Sequence, residues 1–365
     1  MNIPFFPYDK IFEEDKESYM EIFESVGSRG AFILQEEVDE FEGQLAELTG
    51  SKYAVSLANA TDAIQLGLMA SGLQMGDEVI ISSHTMIATA GAVKCAGGIP
   101  VPVECGDDHL IDPVFVEQAI TDKTFSIMPT QLNGRVCNMD PIIKLAKKYE
   151  LQIHEDSAQS LGAKFKDKSA GTFGLSGCIS FYPAKTLGCF GDGGALLCQD
   201  EDIYDQVMLM RDHGRNDEND VVVWGLNSRL DNIQAAFLLH KLKKYPQVIT
   251  RRREIASLYC EFLKEIEQVK LPPKPDQNDH YDIFQNFEIE AEDRDNLKIK
   301  LAENGVGTLI QWSGKAVHHF KKLGFNQHLP KTDELFKKML MLPLTHFTSN
   351  EEVMYVSEKI KEFYK

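Results

Sequence analysis

The sequence GCISFYPAKTLG at residues 177–188, followed by GDGG at residues 191–194, decides the fold of this chain. Residues 177–182 form a short apolar run that predicts a buried strand, which Pro183 cannot extend. Glycines then keep the backbone tight until a second apolar strand begins at Gly194. Lys185 therefore lies in a sharp turn between two buried strands. An exposed lysine is the simpler interpretation of this stretch alone, but a lysine that forms an imine with a carbonyl cofactor needs such partly desolvated surroundings.

Composition limits the class of protein. The chain has 365 residues, of which 43% are hydrophobic, so we expect one large domain and a smaller one. Its net charge of −18 argues against nucleic acid or an anionic membrane as the main partner. Seven cysteines without paired spacing predict reduced thiols and no metal site. Because we find neither an apolar run long enough to span a membrane nor a secretory pattern near residue 1, we expect a cytoplasmic protein.

Strand and helix patterns alternate through most of the chain before residue 200. The predicted strands cover residues 52–58, 79–82, 99–103, 125–128, 151–154, 177–182 and 194–198. The predicted helices cover residues 13–26, 32–48, 61–69, 84–96, 113–120 and 140–149. Such alternation predicts a largely parallel sheet with helices on both faces. Ligands bind these sheets at the carboxyl ends of the strands, where the 59–62 turn, the 84–86 turn, Asp156 and Gln159 follow predicted strands.

The remainder of the chain predicts a smaller α/β unit. We expect a helix over 203–211, a loop or short hairpin over 215–224, and helices that open at 224–231 and at Arg251, whose basic neighbours we expect to be solvated. Later strands are predicted over 284–289 and 306–311, and later helices over 293–304, 333–341 and 350–364. The predicted domains are a large cofactor-binding domain, residues 1–244, and a small C-terminal domain, residues 245–365.

The candidate functional residues form the set that pyridoxal phosphate requires. The cofactor's aldehyde takes a lysine, its pyridine nitrogen a carboxylate, and its phosphate N–H and hydroxyl donors. The sequence offers Lys185, Asp156 just past a strand, and a helix start at 59–62 whose free N–H groups suit a phosphate. Ser180 and Asn227 add a hydroxyl and an amide. Taken singly, each of these residues is more simply a cap, a strand residue or a turn residue.

These residues lie within motifs that resemble those of the DegT/DnrJ/EryC1/StrS family of sugar aminotransferases. The motifs are ATDA at 60–63, GDEVI at 76–80, EDSAQ at 155–159, SFYPAK at 180–185, GDGGA at 191–195 and NSRLD at 227–231. The resemblance covers residues 25–365. It implies a fold-type I enzyme that uses pyridoxal phosphate. Its large domain would have a mostly parallel, mixed sheet flanked by helices, beside a smaller C-terminal α/β domain.

The resemblance implies a role for each matching residue. Lys185 would form the imine with the cofactor and carry protons during the reaction. Asp156 would pair with the ring nitrogen, and Gln159 would lie near the phenolic oxygen. Tyr182 and Arg229 become candidate substrate contacts.

The phosphate site is implied in the same way. Ala60, through its backbone, Thr61 and Ser180 would hold the phosphate. Asn227 would reach the phosphate from the neighbouring subunit, so the resemblance implies a homodimer whose active sites are shared between subunits.

The chain departs from the family pattern in two places. An aromatic residue usually stacks on the cofactor ring, whereas this chain has Met86 there, and His84 is a second candidate for the stack and for substrate contact. A thioether is able to lie on a ring face. The Tyr-Pro-x-Pro-x-His segment that lines the sugar site in many members is replaced by QWSGKAVHH at 311–319. The candidate substrate contacts in this segment are Trp312, Lys315, His318 and His319.

The resemblance implies transfer of an amino group from glutamate to a 3- or 4-keto group of a nucleotide-linked deoxysugar, for amino-sugar or surface polysaccharide biosynthesis. Related pyridoxamine-dependent dehydratases carry histidine at the position of Lys185, so lysine favours an aminotransferase. A small phosphorylated ketone or a cyclitol stays open as the acceptor. A regulatory protein that keeps the fold without turnover also stays open.

Overall fold

Three helices precede the main sheet in the computed structural model, which describes residues 1–275 and 279–365. Helices α2 and α3 end at Gly30 and Gly50, whose φ angles of 64° and 72° are those of a left-handed C-cap. Phe41 and Leu45, one helical turn apart on α3, are fully buried. Both predicted N-terminal helices are therefore confirmed. The helices are α1 Tyr8–Glu13, α2 Lys16–Arg29 and α3 Glu36–Thr49.

The main sheet has seven strands in the order β1-β9-β8-β5-β4-β2-β3. Strand β9 runs antiparallel to β1 and β8, whereas the other neighbours pair parallel, which confirms the predicted mixed, mostly parallel sheet. The short β6 and β7 pair outside this sheet. The strands are β1 Tyr53–Leu57, β2 Glu78–Ser82, β3 Ile99–Val103, β4 Thr124–Met128, β5 Gln152–Asp156, β6 Lys164–Phe165, β7 Lys168–Ser169, β8 Ser176–Ser180 and β9 Gly194–Cys198.

Helices pack on both faces of this sheet. Alternation along β2 shows the two faces, because Ile80 joins one apolar core while Val79 and Ile81 join the other. The cap of α7 is Asn138, whose Oδ1 accepts from the Asp140 amide. The helices are α4 Ala60–Ala70, α5 Ile87–Cys95, α6 Pro113–Ala119, α7 Met139–Lys148, α8 Glu201–Arg211 and α9 Asn232–Leu242.

The C-terminal part contains a three-stranded antiparallel sheet and a core of its own. The sheet has the order β10-β12-β13, and β11 pairs with β6. The long α10 contributes Tyr245 and Ile249 to the core of the main sheet and Ile255 and Tyr259 to the C-terminal core. The boundary at residue 244 stays a prediction. The elements are α10 Tyr245–Leu263, β10 Val269–Lys270, β11 His280–Tyr281, β12 Phe287–Ala291, α11 Arg294–Glu303, α12 Pro330–Lys338, β13 Met339–Leu342 and α13 Asn350–Phe363.

Three predictions about secondary structure and one about burial were wrong. The helix expected to open at 224–231 begins at Asn232, after an irregular loop. The expected strand over 306–311 is reduced to isolated bridges and a 3-10 turn. The helix expected over 333–341 ends at Lys338, because the fully buried run 339–342 is a strand. The sequence did not distinguish the two, since a short apolar run is compatible with a helix or a strand. Arg252 lies within α10 and is buried rather than solvated.

The described helices do not meet the requirements for crossing a membrane. Within residues 1–275 and 279–365, none of them combines the length and the apolar character that spanning a bilayer requires.

Candidate active site

The turn that carries Lys185 follows β8 and is clamped by Gln285 from the C-terminal part of the chain. The Oε1 atom of Gln285 accepts from the Thr186 amide at 2.9 Å, and its Nε2 donates to the Ala184 carbonyl at 2.9 Å. The turn is so tight that a Cβ at Gly188 would lie 2.8 Å from a carbonyl oxygen of the same turn. The predicted strand and turn are thus confirmed, and Gln285 is a positioning residue that the sequence analysis missed.

Lys185 is half-buried between two cavities. The larger, about 370 Å³, lies between the lysine turn, the N-terminal residues and α10. The smaller, about 190 Å³, is lined on its polar side by Gln159 and Gln311. Burial lowers the pKa of the Lys185 amine to about 8, and the charge of Asp156 acts in the opposite direction. Because the neutral amine is the nucleophilic form of lysine, this environment would suit a lysine that binds a carbonyl group.

Asp156 ends β5 and is buried beside the lysine turn. Its Oδ1 accepts from the Ala158 amide at 3.2 Å and from the Cys178 thiol at 3.4 Å. Its Oδ2 accepts from the Thr89 hydroxyl at 2.6 Å. These donors fix the direction of the carboxylate, which is the group that a protonated ring nitrogen pairs with.

A chain of hydroxyl groups continues behind Asp156. The Thr89 proton is committed to Asp156, so Thr89 Oγ1 accepts from Thr85 at 2.8 Å, and Thr85 in turn accepts from Thr130 at 3.0 Å. All three hydroxyl side chains are buried, and all donate in the direction of Asp156. The 84–86 turn was predicted to lie at the site, but none of these threonines was predicted. The signal that the sequence offered was the hydroxyl of Thr89, one helical turn after Thr85.

Strand β9 brings the two halves of the predicted phosphate site together. Gly194 is in register with Leu57 at the end of β1 and with Ser180 at the end of β8. Asn59 caps α4 by accepting from the Asp62 amide at 2.8 Å. A Cβ at Gly194 would lie 2.3 Å from the Asn59 carbonyl carbon, so only glycine permits this approach. Ser180 thus lies beside the turn into α4.

The start of α4 supplies further donors at this corner. Ala60 and Thr61 occupy the first two helical positions, whose N–H groups have no acceptor within a helix. Together with the Ser180 hydroxyl, they form the set of N–H and O–H donors that a phosphate needs. The residues present therefore fit the phosphate of pyridoxal phosphate.

Gln159 has a fixed amide orientation. Its Oε1 accepts from the Asn133 amide at 2.9 Å and from Asn286 Nδ2 at 3.2 Å. The oxygen is therefore occupied, and the Nε2 end of the amide is the end left to donate. Gln159 lines the smaller cavity together with Lys185. This orientation suits a donor to the phenolic oxygen of the cofactor.

Asn227 and Arg229 lie on the loop between α8 and α9. Asn227 is exposed and joins Asp212 by an isolated backbone bridge. Arg229 Nη1 donates to Asp212 Oδ1 at 2.6 Å. Ser228, between them, donates to Asp62 Oδ2 at 2.7 Å and anchors the loop beside the start of α4. Within one chain, Asn227 is held at the surface and Arg229 in an ion pair.

The predicted substrate contacts separate into accessible and enclosed residues. Tyr182, which is 50% exposed, and Trp312 line the smaller cavity, and Met86, 52% exposed, precedes α5. The prediction for His84 is corrected, because this residue is fully buried, binds the His109 carbonyl at 2.9 Å and packs edge-on against Trp312. An enclosed ring offers no face to a cofactor or substrate.

His318 is buried, His319 is half-buried and Lys315 is exposed, and their roles as substrate contacts stay predictions. Both imidazoles bond through Nε2 to Asp333 Oδ1, at 2.9 and 2.6 Å, and so tie their segment to α12. The three possible ligand atoms lie within 4.8 Å of one another. The Ala316 amide, however, donates to His319 Nδ1, so His319 Nε2 carries a proton instead of the lone pair that a metal needs.

Comparison with known proteins identifies this architecture. The profile of the DegT/DnrJ/EryC1/StrS aminotransferase family matches residues 13–361. The chain belongs to this family. This aminotransferase is 34% identical to the pleiotropic regulatory protein of Geobacillus stearothermophilus, over 100% of the chain and 99% of the relative. It is 32% identical to the dTDP-3-amino-3,4,6-trideoxy-alpha-D-glucose transaminase of Streptomyces venezuelae, over 99% of the chain and 96% of the relative.

A solved structure is similar over the whole aminotransferase chain. The crystal structure of S. venezuelae DesV in complex with a ketimine intermediate superposes with a TM-score of 0.96 at 32% identity and covers 100% of this chain and 99% of that one. The predicted family, the fold-type I architecture and the pyridoxal phosphate cofactor are confirmed. When bound, the cofactor supplies a ring that withdraws electrons from the substrate carbon that loses a proton.

Proposed function

We propose that this aminotransferase transfers the amino group of glutamate to a 3- or 4-keto group of a nucleotide-linked deoxysugar. The observation that carries the proposal is the cavity beside Lys185, in which amide groups and aromatic side chains adjoin one amine of lowered pKa. Amides bind hydroxyl groups, and aromatic rings pack against the apolar face of a sugar ring. The name of the Streptomyces venezuelae relative, a dTDP-amino-sugar transaminase, supports the same substrate class.

In this proposal, three side chains act on the reacting part of the cofactor. Lys185 binds the aldehyde and carries protons in both half-reactions, since its lowered pKa suits a group that both accepts and gives a proton. Asp156 pairs with the ring nitrogen, and Gln159 donates to the phenolic oxygen. Ala60, Thr61 and Ser180 hold the phosphate.

We further propose that the active enzyme is a homodimer. Asn227 is exposed on a loop that also presents Trp224, 91% exposed, and Val221, 67% exposed. An exposed apolar group of this kind is typical of an interface. In the dimer, Asn227 would complete the phosphate site of the partner subunit.

A regulatory function is the second candidate, because one relative bears the name of a regulatory protein. One assay distinguishes an aminotransferase from a regulatory protein. We would incubate the holoenzyme with glutamate and a panel of dTDP-, UDP- and GDP-linked 3-keto and 4-keto deoxysugars, with a phosphorylated ketone and a keto-cyclitol as further acceptors. Amination of a nucleotide-linked sugar supports the proposal. Amination of the small acceptors alone, or of none, contradicts it.

A further inference from the structure

The 284–286 segment of the C-terminal part lies between the lysine turn and Gln159. Its middle residue, Gln285, bonds to the backbone of the lysine turn. The next residue, Asn286, donates through Nδ2 to Gln159 Oε1 at 3.2 Å. Asn286 and Gln159 line the same cavity as Lys185. Two consecutive residues therefore contact the two elements that we propose to face the reacting part of the cofactor.

Contacts on two sides hold this segment in place. On one side, Arg252 of α10 donates from Nε to the Phe284 carbonyl at 2.8 Å and from Nη2 to the Gln285 carbonyl at 2.6 Å. On the other side, a Cβ at Gly134 would lie 2.5 Å from the Gln285 amide nitrogen, so only glycine permits this approach. Phe284 has a left-handed φ of 53°, which is unfavourable for a bulky residue. The segment keeps this conformation because the surrounding contacts impose it.

A carboxylate sets the direction of the neighbouring amides. Burial alone would raise the pKa of the Glu288 carboxyl, but His84 and His109 hold it far below its usual range. An ionised carboxylate only accepts, so Gln311 has to donate to Glu288 from Nε2, at 3.0 Å. The same Nε2 donates to Asn133 Oδ1 at 2.6 Å. Asn133 therefore presents its side-chain oxygen, and not its nitrogen, to the remaining amides.

The direction of these hydrogen bonds continues through Asn286 to Gln159. Asn133 Oδ1 accepts from Asn286 Nδ2 at 2.8 Å, so Asn286 has to present its nitrogen here. The second proton of that nitrogen goes to Gln159 Oε1, which also accepts from the Asn133 backbone amide at 2.9 Å. Gln159 Nε2 is thus left to donate. This atom bonds to no acceptor in the described part of the chain and is not buried, so a ligand in the cavity is able to reach it.

We propose that Asn286 is a positioning residue that orients the Gln159 amide and so directs Nε2, and not Oε1, toward the phenolic oxygen of the cofactor. This inference rests on the proposed role of Gln159 and adds the residue that controls it. A donor at the phenolic oxygen stabilises the negative charge of that oxygen. The nitrogen that joins Lys185 to the cofactor shares its proton with this oxygen and then loses the proton at lower pH. The orientation of one amide thus sets the protonation of the reacting group.

The test substitutes Asn286 in the holoenzyme. Asn286→Asp keeps the shape of the side chain but replaces its donor by a carboxylate, which only accepts. Gln159 then has to turn Nε2 toward the new carboxylate, which leaves Oε1 on the cofactor side. The measurement is a pH titration of the absorbance band that the cofactor has when it is bound to Lys185. We expect the midpoint to rise by roughly one pH unit, since the phenolic oxygen loses a hydrogen bond.

A double-variant cycle separates positioning from the charge that the substitution adds. Gln159→Leu removes the donor and should raise the midpoint by itself. If Asn286 acts through Gln159, Asn286→Asp should shift the midpoint much less in the Gln159→Leu background than in the wild type. Asn296→Asp is the matched control, because Asn296 bonds to Asp293 on the exposed side of α11, and it should leave the midpoint unchanged.

A second substitution covers the case in which Asn286→Asp does not fold or does not bind the cofactor. Asn286→Leu then replaces it in the same cycle, because leucine removes the donor without adding a charge. The rise should be smaller, since the Asn133 backbone amide still holds Gln159 Oε1. Circular dichroism checks the folding of every variant.

Two results would overturn this inference while the proposed role of Gln159 stands. One is a midpoint that Gln159→Leu raises and the Asn286 variants leave unchanged. The other is an equal shift from the Asn286 substitution in both backgrounds, because the substitution would then act without Gln159. If Gln159→Leu itself leaves the midpoint unchanged, the proposed role of Gln159 fails, and this inference fails with it.

Discussion

The hydroxyl chain behind Asp156 makes a quantitative prediction about cofactor binding. Thr89→Val keeps the side-chain shape but removes the 2.6 Å hydrogen bond to Asp156 Oδ2. A hydrogen bond to a charged group contributes about 1.5–3 kcal/mol. Without it, the carboxylate of the cofactor-free protein relaxes toward other partners, and cofactor binding has to reverse that relaxation. The full value of the bond is therefore the upper limit of the effect.

At about 1.4 kcal/mol for each factor of ten, this limit corresponds to a loss of roughly hundredfold in affinity, and we expect roughly tenfold. The measurement is an absorbance titration of the cofactor-free protein with pyridoxal phosphate, with circular dichroism as the check on folding. The other members of the chain give a graded control. Thr85→Val should weaken binding less than Thr89→Val, and Thr130→Val should weaken it least, because each lies one hydroxyl further from Asp156.

Two results would refute this reasoning. One is a Thr89→Val protein that binds the cofactor within twofold of the wild type. The other is an effect of equal size at all three threonines, since that would indicate a general loosening of the structure around Asp156 and not a directed chain of hydrogen bonds.

Three further predictions concern the lysine, the phosphate turn and the C-terminal core. The rate at which the cofactor-free protein takes up pyridoxal phosphate should rise with pH through about 8, the lowered pKa of Lys185, because only the neutral amine attacks. Asp156→Asn should move that midpoint to lower pH, because the carboxylate raises this pKa. The control is Nα-acetyl-lysine amide, whose side-chain amine is free, since its reaction with pyridoxal phosphate reports the cofactor's own titration. Gly194→Ala should lower cofactor affinity and Tm, because its Cβ meets the backbone of the phosphate turn at 2.3 Å. Gly43→Ala, whose Cβ meets no atom within 4 Å, should leave affinity unchanged and serves as its control. Arg252→Met should lower the free energy of unfolding in urea by about 3 kcal/mol or more, because it deprives three buried carbonyls of their donor. A decrease below about 1 kcal/mol would contradict this prediction.

Local sequence patterns predicted the parts of the site that local structure makes. The strand, proline and glycines around Lys185, the carboxylate that ends β5 and the helix start at 59–62 each lie within a few residues of the feature that identifies them. Their convergence followed from the parallel sheet, because parallel strands end at one edge.

The partners that hold these groups come from distant parts of the chain and were missed for that reason. Gln285 reaches the lysine turn from 99 residues away, and Thr89 reaches Asp156 from 67 residues away. His84 was the second candidate, after Met86, for the stack on the cofactor ring, but the C-terminal part covers it with Trp312 and Phe336. Arg252 looked like one of three surface arginines, yet it donates to carbonyl groups that only the folded C-terminal sheet brings near.

The most direct test of the account is one spectrophotometric experiment on the holoenzyme. Glutamate should abolish the absorbance band that the cofactor has when it is bound to Lys185, and a nucleotide-linked keto sugar should restore the band as the amino sugar forms. Lys185→Arg should fold, lack the band and show no transamination. A band that persists in glutamate, a band that no nucleotide-linked keto sugar restores, or transamination by Lys185→Arg would contradict the account.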